Sequence, residues 1–557
     1  MEKYRWQLII ILITGLVVGI ILIIQQGNPL SPTDWTTQPI SGGIYSEALV
    51  GEFQRLNPFL DRYNQPDQDI DRLLFSGLVK FDNSGMAQPD LAETWGISQD
   101  GSLYNFTLRP DIYWHDGQPI TTSDIAFTVE LLKSENALIP SDLREFWSEI
   151  TLNVLTDNQI QFALPESFSP FLDYLSFGIL PEHLLGGLAL DGIIDHPFNL
   201  APVGSGPYKF DRLLITDKKI SGVVLKANEI YYGGKPYLEE IVFKYYPTVI
   251  DAWSAYQGGD VEGLSAISQD ILDDVLADPK LNLYSAAEPI VTMLILNLDN
   301  QEVTFLQEPD FRKALLMAIH RQSIINEVYS GQAVVVDSPI LPGNWAYYPD
   351  LSKMEYSPEF AQQELRKLGY TIGNDGVTLV SPGGSAIIIE LLCPDTEIHQ
   401  RIAEHIIEDL IVIGIQVELI IKPYDVVIAD LESRDYQVAL IDIDLSGSPD
   451  PDPYPFWAQS QIQGGQNYSQ WDNRTASEYL EQARISLIAS DRERLYRNFQ
   501  VIFQQELPSL PLFSPIFNYA VTSKIKGISL GPFYNKSDRF YSISSWYILA
   551  EETQNYE

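Results

Sequence analysis

A helix that closes on glycine and hands over to an alternating strand is the pattern that most restricts what this chain can fold into. His399 to Ile413 carries apolar residues at helical spacing, Gly414 follows, and Ile415 to Lys422 (IQVELIIK) alternates as a half-buried strand. Glycine there supplies the left-handed turn that a β-carbon penalises, so the chain can reverse and lay a strand beside its helix. Ser357 caps another helix, with Pro358 at its first position and Gly369 at its end. Phe311 to Tyr329 reads as one helix stopping before Gly331, and Ala476–Ser490 with Arg492–Gln505 as a helical pair closed by Pro508 and Pro511. Strand-like stretches alternate with these helices, which predicts mixed α/β lobes. The 557 residues suggest three or four folding units at roughly 150 residues each. Punctuation near Leu78, Ala201-Pro202, Pro289 and Ser514-Pro515 suggests the boundaries, and a chain that leaves a lobe and later returns gives the same pattern.

The N-terminus addresses location. Lys3 and Arg5 precede an uncharged apolar run, Leu8 to Ile24. Its length sits at the short end of the roughly 17–25 residues that span a bilayer and exceeds a secretory core of about 7–15. No small-x-small cleavage site and no lipidation cysteine follow, so an uncleaved signal anchor is expected, with residues 25–557 outside the cytoplasm. Late processing near Gly27 is the alternative. Residues 25–40 read as a Pro/Ser/Thr-rich tether. Asp and Glu number 75 against 35 Lys and Arg, a formal charge of -40, which disfavours nucleic acid as a partner. Cys393 is alone, so no internal disulfide forms, and its apolar setting reads as buried packing.

Several motifs run in order along the chain. Asp90 to Trp95 reads as a short helix, and Ser98-Gln99-Asp100-Gly101 as a tight turn. Tyr104 to Arg109 alternates as a strand, Trp114-His115-Asp116-Gly117 is another turn, and Thr121 caps a helix through Leu132. None of these is catalytic in itself. Together with Asn57-Pro58, Gly77-Leu78-Val79, Val203-Gly204-Ser205-Gly206-Pro207-Tyr208, Tyr231 to Pro236 and Arg312 to Arg321, they resemble the extracytoplasmic solute-binding proteins of ABC importers, family 5, the oligopeptide/dipeptide/nickel class. The likeness spans roughly residues 41–525. It departs at Glu262 and His320, where the family usually carries Asp, and at Ile441-Asp442, where it usually carries Gly-Trp.

The resemblance implies a type II periplasmic-binding-protein fold: two α/β lobes, an extra small lobe, and a ligand cleft between the large ones. Lobe I would comprise 41–77, 201–288 and 515–557, the extra lobe 78–200, and lobe II 289–514. It implies a monomer that captures short peptides without chemistry, delivers them to permease subunits, and needs no cofactor. A peptide ammonium requires a carboxylate, and its backbone can pair with a strand edge. The resemblance directs attention to Tyr436–Trp457 (YQVALIDIDLSGSPDPDPYPFW), a strand running into an acidic, Pro-rich turn. Asp442, Asp444, Asp450 and Asp452 are the candidate carboxylates, with Asp444 and Asp450 preferred, and Tyr454 and Trp457 the candidate aromatics. Asn64-Gln65 would offer its backbone from the first lobe. A solvated Pro-rich loop is the bland reading of the same stretch. A calcium loop fails there, because Pro453 stands where a bidentate Glu is needed. The six His residues form no metal-binding spacing, which disfavours a bare metal while leaving chelates, sugars and a peptide-sensing role open. An anchored hydrolase lacks a Gly-x-Ser-x-Gly elbow or HExxH motif to support it.

Overall fold

The computed structural model describes residues 35–554 other than 137 and 532. The apolar run Leu8–Ile24, expected to be an anchor, lies outside these residues. Among the described residues no helix is long and apolar enough to cross a membrane.

The first strand of the main sheet, β1 (Ile44–Val50), leads to helix α1 (Gln65–Leu74). Residues 92–163 then build a separate antiparallel sheet ordered Ala92–Ile97, Leu103–Leu108, Gln159–Ala163, Thr151–Thr156. The expected short helix at Asp90–Trp95 is a strand instead. Its partner is Leu103–Leu108 through the turn at Gly101, and Trp95 lies over Phe106 with ring centroids 6.1 Å apart. An aromatic that packs across a pleat favours strand over a few polar helix formers. Helix Thr122–Leu132 starts as expected, with Thr121 and Asp124 forming a reciprocal capping box.

The chain returns to the main sheet through Tyr208–Thr216, Lys219–Ala227 and Glu240–Tyr246, the last parallel to β1. It then crosses to a second set of strands. β2 (Leu281–Ala287) is followed after only two residues by β3 (Ile290–Leu296). Helix α2 (Glu397–Val412) sits between the parallel strands Ile388–Pro394 and Gln416–Lys422, with Gly414 at φ +87° as the turn demands. β4 (Val438–Asp444) pairs antiparallel with β3, and helices α3 (Arg474–Ile485) and α4 (Ala489–Glu506) follow. The return strand β5 (Ser509–Thr522) pairs with β3 through its first half and with β2 through its second, so twelve strands join into one hydrogen-bonded system.

Two differences from the sequence expectation have physical causes. The helix expected over Phe311–Tyr329 is two, Pro309–Ala318 and Arg321–Val328, because the His320 side chain accepts from Ser323 N (2.9 Å) and caps a new start. The proline punctuation at Ser514-Pro515 falls inside β5, where proline's fixed φ is compatible with extended chain.

The cores report which parts pack as one. Tyr45, Trp114, Trp147, Phe162, Phe243 and Trp546 belong to a single buried cluster, so the sheet of residues 92–163 shares its core with the strands around β1. The β3/β4 sheet has a separate core on each face. Leu294, Leu296 and Leu440 point to one, and Met293, Ile295 and Ile441 to the other, the period of two expected of a doubly covered strand.

One buried ion cluster ties the C-terminal segment to the first strand. The Arg539 guanidinium, 1 % exposed, donates to Asp69 on α1 (2.5 and 2.7 Å) and to Glu47 on β1 (2.8 Å), and Tyr45 OH donates to Glu47 (2.6 Å). Removing the cation would leave two carboxylates buried without a counter-charge. Arg539→Met is therefore expected to destabilise the protein by about 3–5 kcal/mol in urea unfolding.

Candidate functional site

The family-type motifs of the first half meet at the end of α1. Ser205 N and Gly206 N both donate to the Leu74 carbonyl (2.8 Å each), an approach so close that a side chain at Gly204 or Gly206 would collide with the Leu73 or Leu74 backbone. His115 braces this loop from the other side: Nδ1 accepts from Gly204 N (3.1 Å), and Nε2 lies 3.1 Å from the Gly206 carbonyl. Burial pushes His115 down to about 4, which keeps the ring neutral for both bonds. The Trp-His-Asp-Gly and Gly-Ser-Gly-Pro motifs are thus halves of one structural brace.

The acidic turn after β4 divides its four carboxylates sharply. Asp450, 6 % exposed, accepts from Tyr496 OH (2.8 Å) and from Asp452 N (3.0 Å), and ion-pairs with Arg492. Asp452 accepts from Nη2 and Nε along one edge of the Arg484 guanidinium (2.7 and 3.0 Å), which itself stacks 4.0 Å from the Tyr454 ring. Asp442 accepts from Thr292 Oγ1 (2.6 Å) and lies 3.2 Å from Nε2 of the buried His399. Asp444 is exposed at the strand's end, opposite Ile290. It accepts only the turn amide of Ser446 (2.8 Å), and among the described residues it has no cation within ion-pair reach. Trp457 is 2 % exposed and packs edge-on against Phe503 at 4.8 Å, so its ring belongs to the core beneath the turn. Tyr454 is half-buried, its hydroxyl 2.8 Å from Ser460 Oγ.

In the first lobe, Asn64 N-caps α1 and donates to Asp67 (2.5 Å) and the Glu52 carbonyl (3.0 Å). Gln65 is the helix's first residue and donates to Asp69 and Ser537 Oγ (2.9 Å each). Both amides are therefore engaged locally, while the neighbouring Tyr63 is 82 % exposed. Behind them lie more acids than cations. Burial pushes Asp61 up to about 7 and Asp67 up to about 6, and Asp71 is raised too, both of its oxygens being buried without a partner.

The C-terminal segment joins these two regions, which sequence reasoning missed. The Tyr534 carbonyl accepts from Gly447 N in the acidic turn (2.8 Å). Lys536 reaches Glu288 between β2 and β3 (3.2 Å), and Ser537 receives Gln65. An Asn535–Asp538 capping box orders the segment, and it was the one local signal available for it. Residues 534–537, the acidic turn, the start of α1 and the β2–β3 crossing thus form one polar region where the two sheets meet. Among the described residues, no three His, Cys, Asp or Glu side chains converge as metal ligands would.

This two-sheet arrangement matches a known family. The sequence profile of bacterial extracellular solute-binding proteins, family 5 (middle region), fits residues 87–466. The chain belongs to this family. It is 25% identical over 524 residues to an oligopeptide-binding protein of Bacillus subtilis, covering 92% of each chain. It is 28% identical over 381 residues to a nickel-binding periplasmic protein of Escherichia coli, covering 66% of this chain and 68% of that one. Among solved structures, HbpA2 from Haemophilus parasuis superposes with a TM-score of 0.79 at 21% identity, over 92% of this chain and all of the other. The α/β periplasmic-binding-protein-like fold follows from such neighbours.

Two outcomes test the electrostatics. Asp450→Asn is expected to lower the melting temperature, because it strands Arg492, whereas Asp444→Asn leaves it unchanged, as thermal unfolding would read. Asp61 and Asp67 have folded values above the ordinary carboxylate range near 4. The raised groups bind protons more tightly when folded, so their contribution is complete below about 4 and is lost as pH rises through about 6 to 7. The melting temperature should fall across that window, and Asp71→Asn should shrink the fall.

Proposed function

We propose that this chain is the extracytoplasmic receptor of an ABC importer, holding short peptides between its two large lobes and releasing them unchanged. One observation carries the reading. Of four carboxylates in the acidic turn, Asp444 alone is exposed and uncommitted to a cation, and it ends a strand at the polar region shared by both sheets. A peptide ammonium fills that vacancy of charge, and relatives described as oligopeptide-, dipeptide- and di/tripeptide-binding proteins support it. Asp450 and Asp452, held by Arg492 and Arg484, shape the turn, and Tyr63 is the exposed aromatic beside Asn64-Gln65.

The lobe assignment follows the same reading: 41–77, 201–288 and 515–557 as one lobe with the extra lobe 78–200 on it, and 289–514 as the other. The run Leu8–Ile24 would tether the receptor outside the membrane on sequence grounds alone. Metal-chelate capture is the competing reading, because nickel- and heme-binding proteins are among the relatives. It gains less from the site. His115 is spent on the glycine loop, His320 on a helix start and His399 on Asp442.

Calorimetry with free-amine and N-acetylated peptides tests the proposal. Asp444→Asn is expected to weaken free-amine peptides by about 10- to 100-fold, the worth of one charge-assisted hydrogen bond, and to spare acetylated ones. Equal binding of free-amine peptides by wild type and variant would remove Asp444 from the site.

A further inference from the structure

Asp173 belongs to the extra lobe, in the turn Ser169–Leu175, and its neighbours Phe171 and Leu175 are fully buried in the core shared with β1. Its Oδ2 nevertheless receives two hydrogen bonds from the other body. Ser448 Oγ donates at 2.7 Å and Asp450 N at 2.6 Å, both from the acidic turn. The donors are stiffly mounted, because Asp450 is itself clamped by Arg492 and Tyr496. Around this contact the seam is polar. Ser169 Oγ donates to the Ser486 carbonyl (2.5 Å), Ser167 Oγ to the Ile485 carbonyl (3.0 Å), and Arg484 lies 5.3 Å from the Phe168 ring.

We infer that Asp173 is a latch between the two bodies, fixing the spacing of the lobes by gripping the acidic turn from the extra lobe. The covalent crossings at β2–β3 and β5 let the bodies rotate. A seam made of hydrogen bonds exchangeable with water can open without exposing apolar core, unlike the clusters inside each lobe. The latch therefore sets how readily the arrangement described here gives way to a rotated one.

Its chemistry predicts a proton dependence. Enclosure in the seam pushes Asp173 up to about 7: burial outweighs the Ser448 hydrogen bond and Arg492, which both lower it, and Asp452 adds to the rise. Asp450, Tyr174, Tyr496 and Tyr534 also face it. When the bodies part, water returns the carboxyl to its ordinary range near 4. The latched form thus holds its proton more tightly. Latching is complete below about 4 and weakens as pH rises through about 7. Both lobe-II donors converge on Oδ2, which leaves Oδ1 to carry the proton.

The test needs no ligand, so its failure and failure of the peptide reading, on which its consequence for uptake rests, are separable. Spin labels at Lys219→Cys and Glu432→Cys in the full-length chain report the distance between bodies, the native Cys393 being buried. At about pH 5.5 the wild type should give the spacing of this structure, and at about pH 8.5 a second population should grow. Asp173→Asn, which mimics the protonated acid, should hold the first distribution at both values. Asp173→Ala should lose it at both, and Ser448→Ala should move the same way with an unchanged melting temperature. A wild-type distribution indifferent to pH, a pH response surviving in Asp173→Asn, or an Asp173→Ala distribution matching wild type would each overturn the latch.

Discussion

Strand β5 belongs to two sheets at once, and the rest of the architecture depends on that. Its first half completes the sheet of β3 and β4, and its second half completes the sheet of β1 and β2. The β2–β3 crossing runs beside it, with only Glu288 and Pro289 between the strands. Two adjacent strand crossings resist shear and twist about a line, yet permit bending across it. A third, distant crossing would lock the bodies, and no crossing would let them drift. The proposed peptide site lies against this line: Glu288, Asp444, Gly447 and Lys536 all sit beside the place where the strands pass from one sheet to the other. Residues placed there would swing least in the proposed rotation, so a peptide held there would stay engaged by both bodies.

The charges of the molecule follow a related logic. Each deeply buried cation is spent on architecture. Arg539 joins β1, α1 and the C-terminal segment, and Arg312 is consumed by the backbone carbonyls of Leu306, Glu506 and Leu507. With 75 acids against 35 basic residues, many carboxylates are left to water, to protons or to whatever binds. A chain so composed suits a positively charged guest, since approach is favoured by the field and a local acid can take the contact.

Much of the fold was legible in the sequence because it is written in local chemistry. The Ser357-Pro358 helix start, the helix–Gly414–strand unit and the Thr121 cap each satisfy orphan backbone groups through their own residues, so no distant partner is needed to read them. The misreadings share the opposite trait. Ala92–Ile97 is a strand because Phe106 lies across from Trp95, and the break at His320 joins its own cap on Ser323 N to a distant hold, Asp409 accepting from the His320 amide at 2.7 Å. The site was harder still. Asp442, Asp444, Asp450 and Asp452 are equivalent as letters; Thr292 and His399 far upstream, and Arg484 and Arg492 on α3 and α4 some thirty or more residues downstream, distinguish them. Residues 534–537 carried no signal beyond a capping box, because their role comes from touching both lobes.

The core-sharing of the extra lobe gives it a mechanical role. Had residues 92–163 packed on the β3/β4 sheet, the extra lobe would travel with that sheet, and its contacts with the acidic turn would be internal to one body. Instead Phe106, Trp147 and Phe162 lie in the cluster that contains Tyr45 and Phe243, so residues 92–163 are packed to the β1 side. Every bond these residues make to the turn therefore spans the interface that the proposed latch would open. Apolar contacts there would cost tens of calories per mole for each square ångström exposed on opening, about 25 by transfer data, and would bias the equilibrium heavily. Hydrogen bonds exchanged for water cost about 1 kcal/mol each, which allows a ligand's own contacts to decide the balance. A polar seam on a shared core is thus what a reversible clamp requires: strong cohesion within each body, and weak, directional cohesion between them.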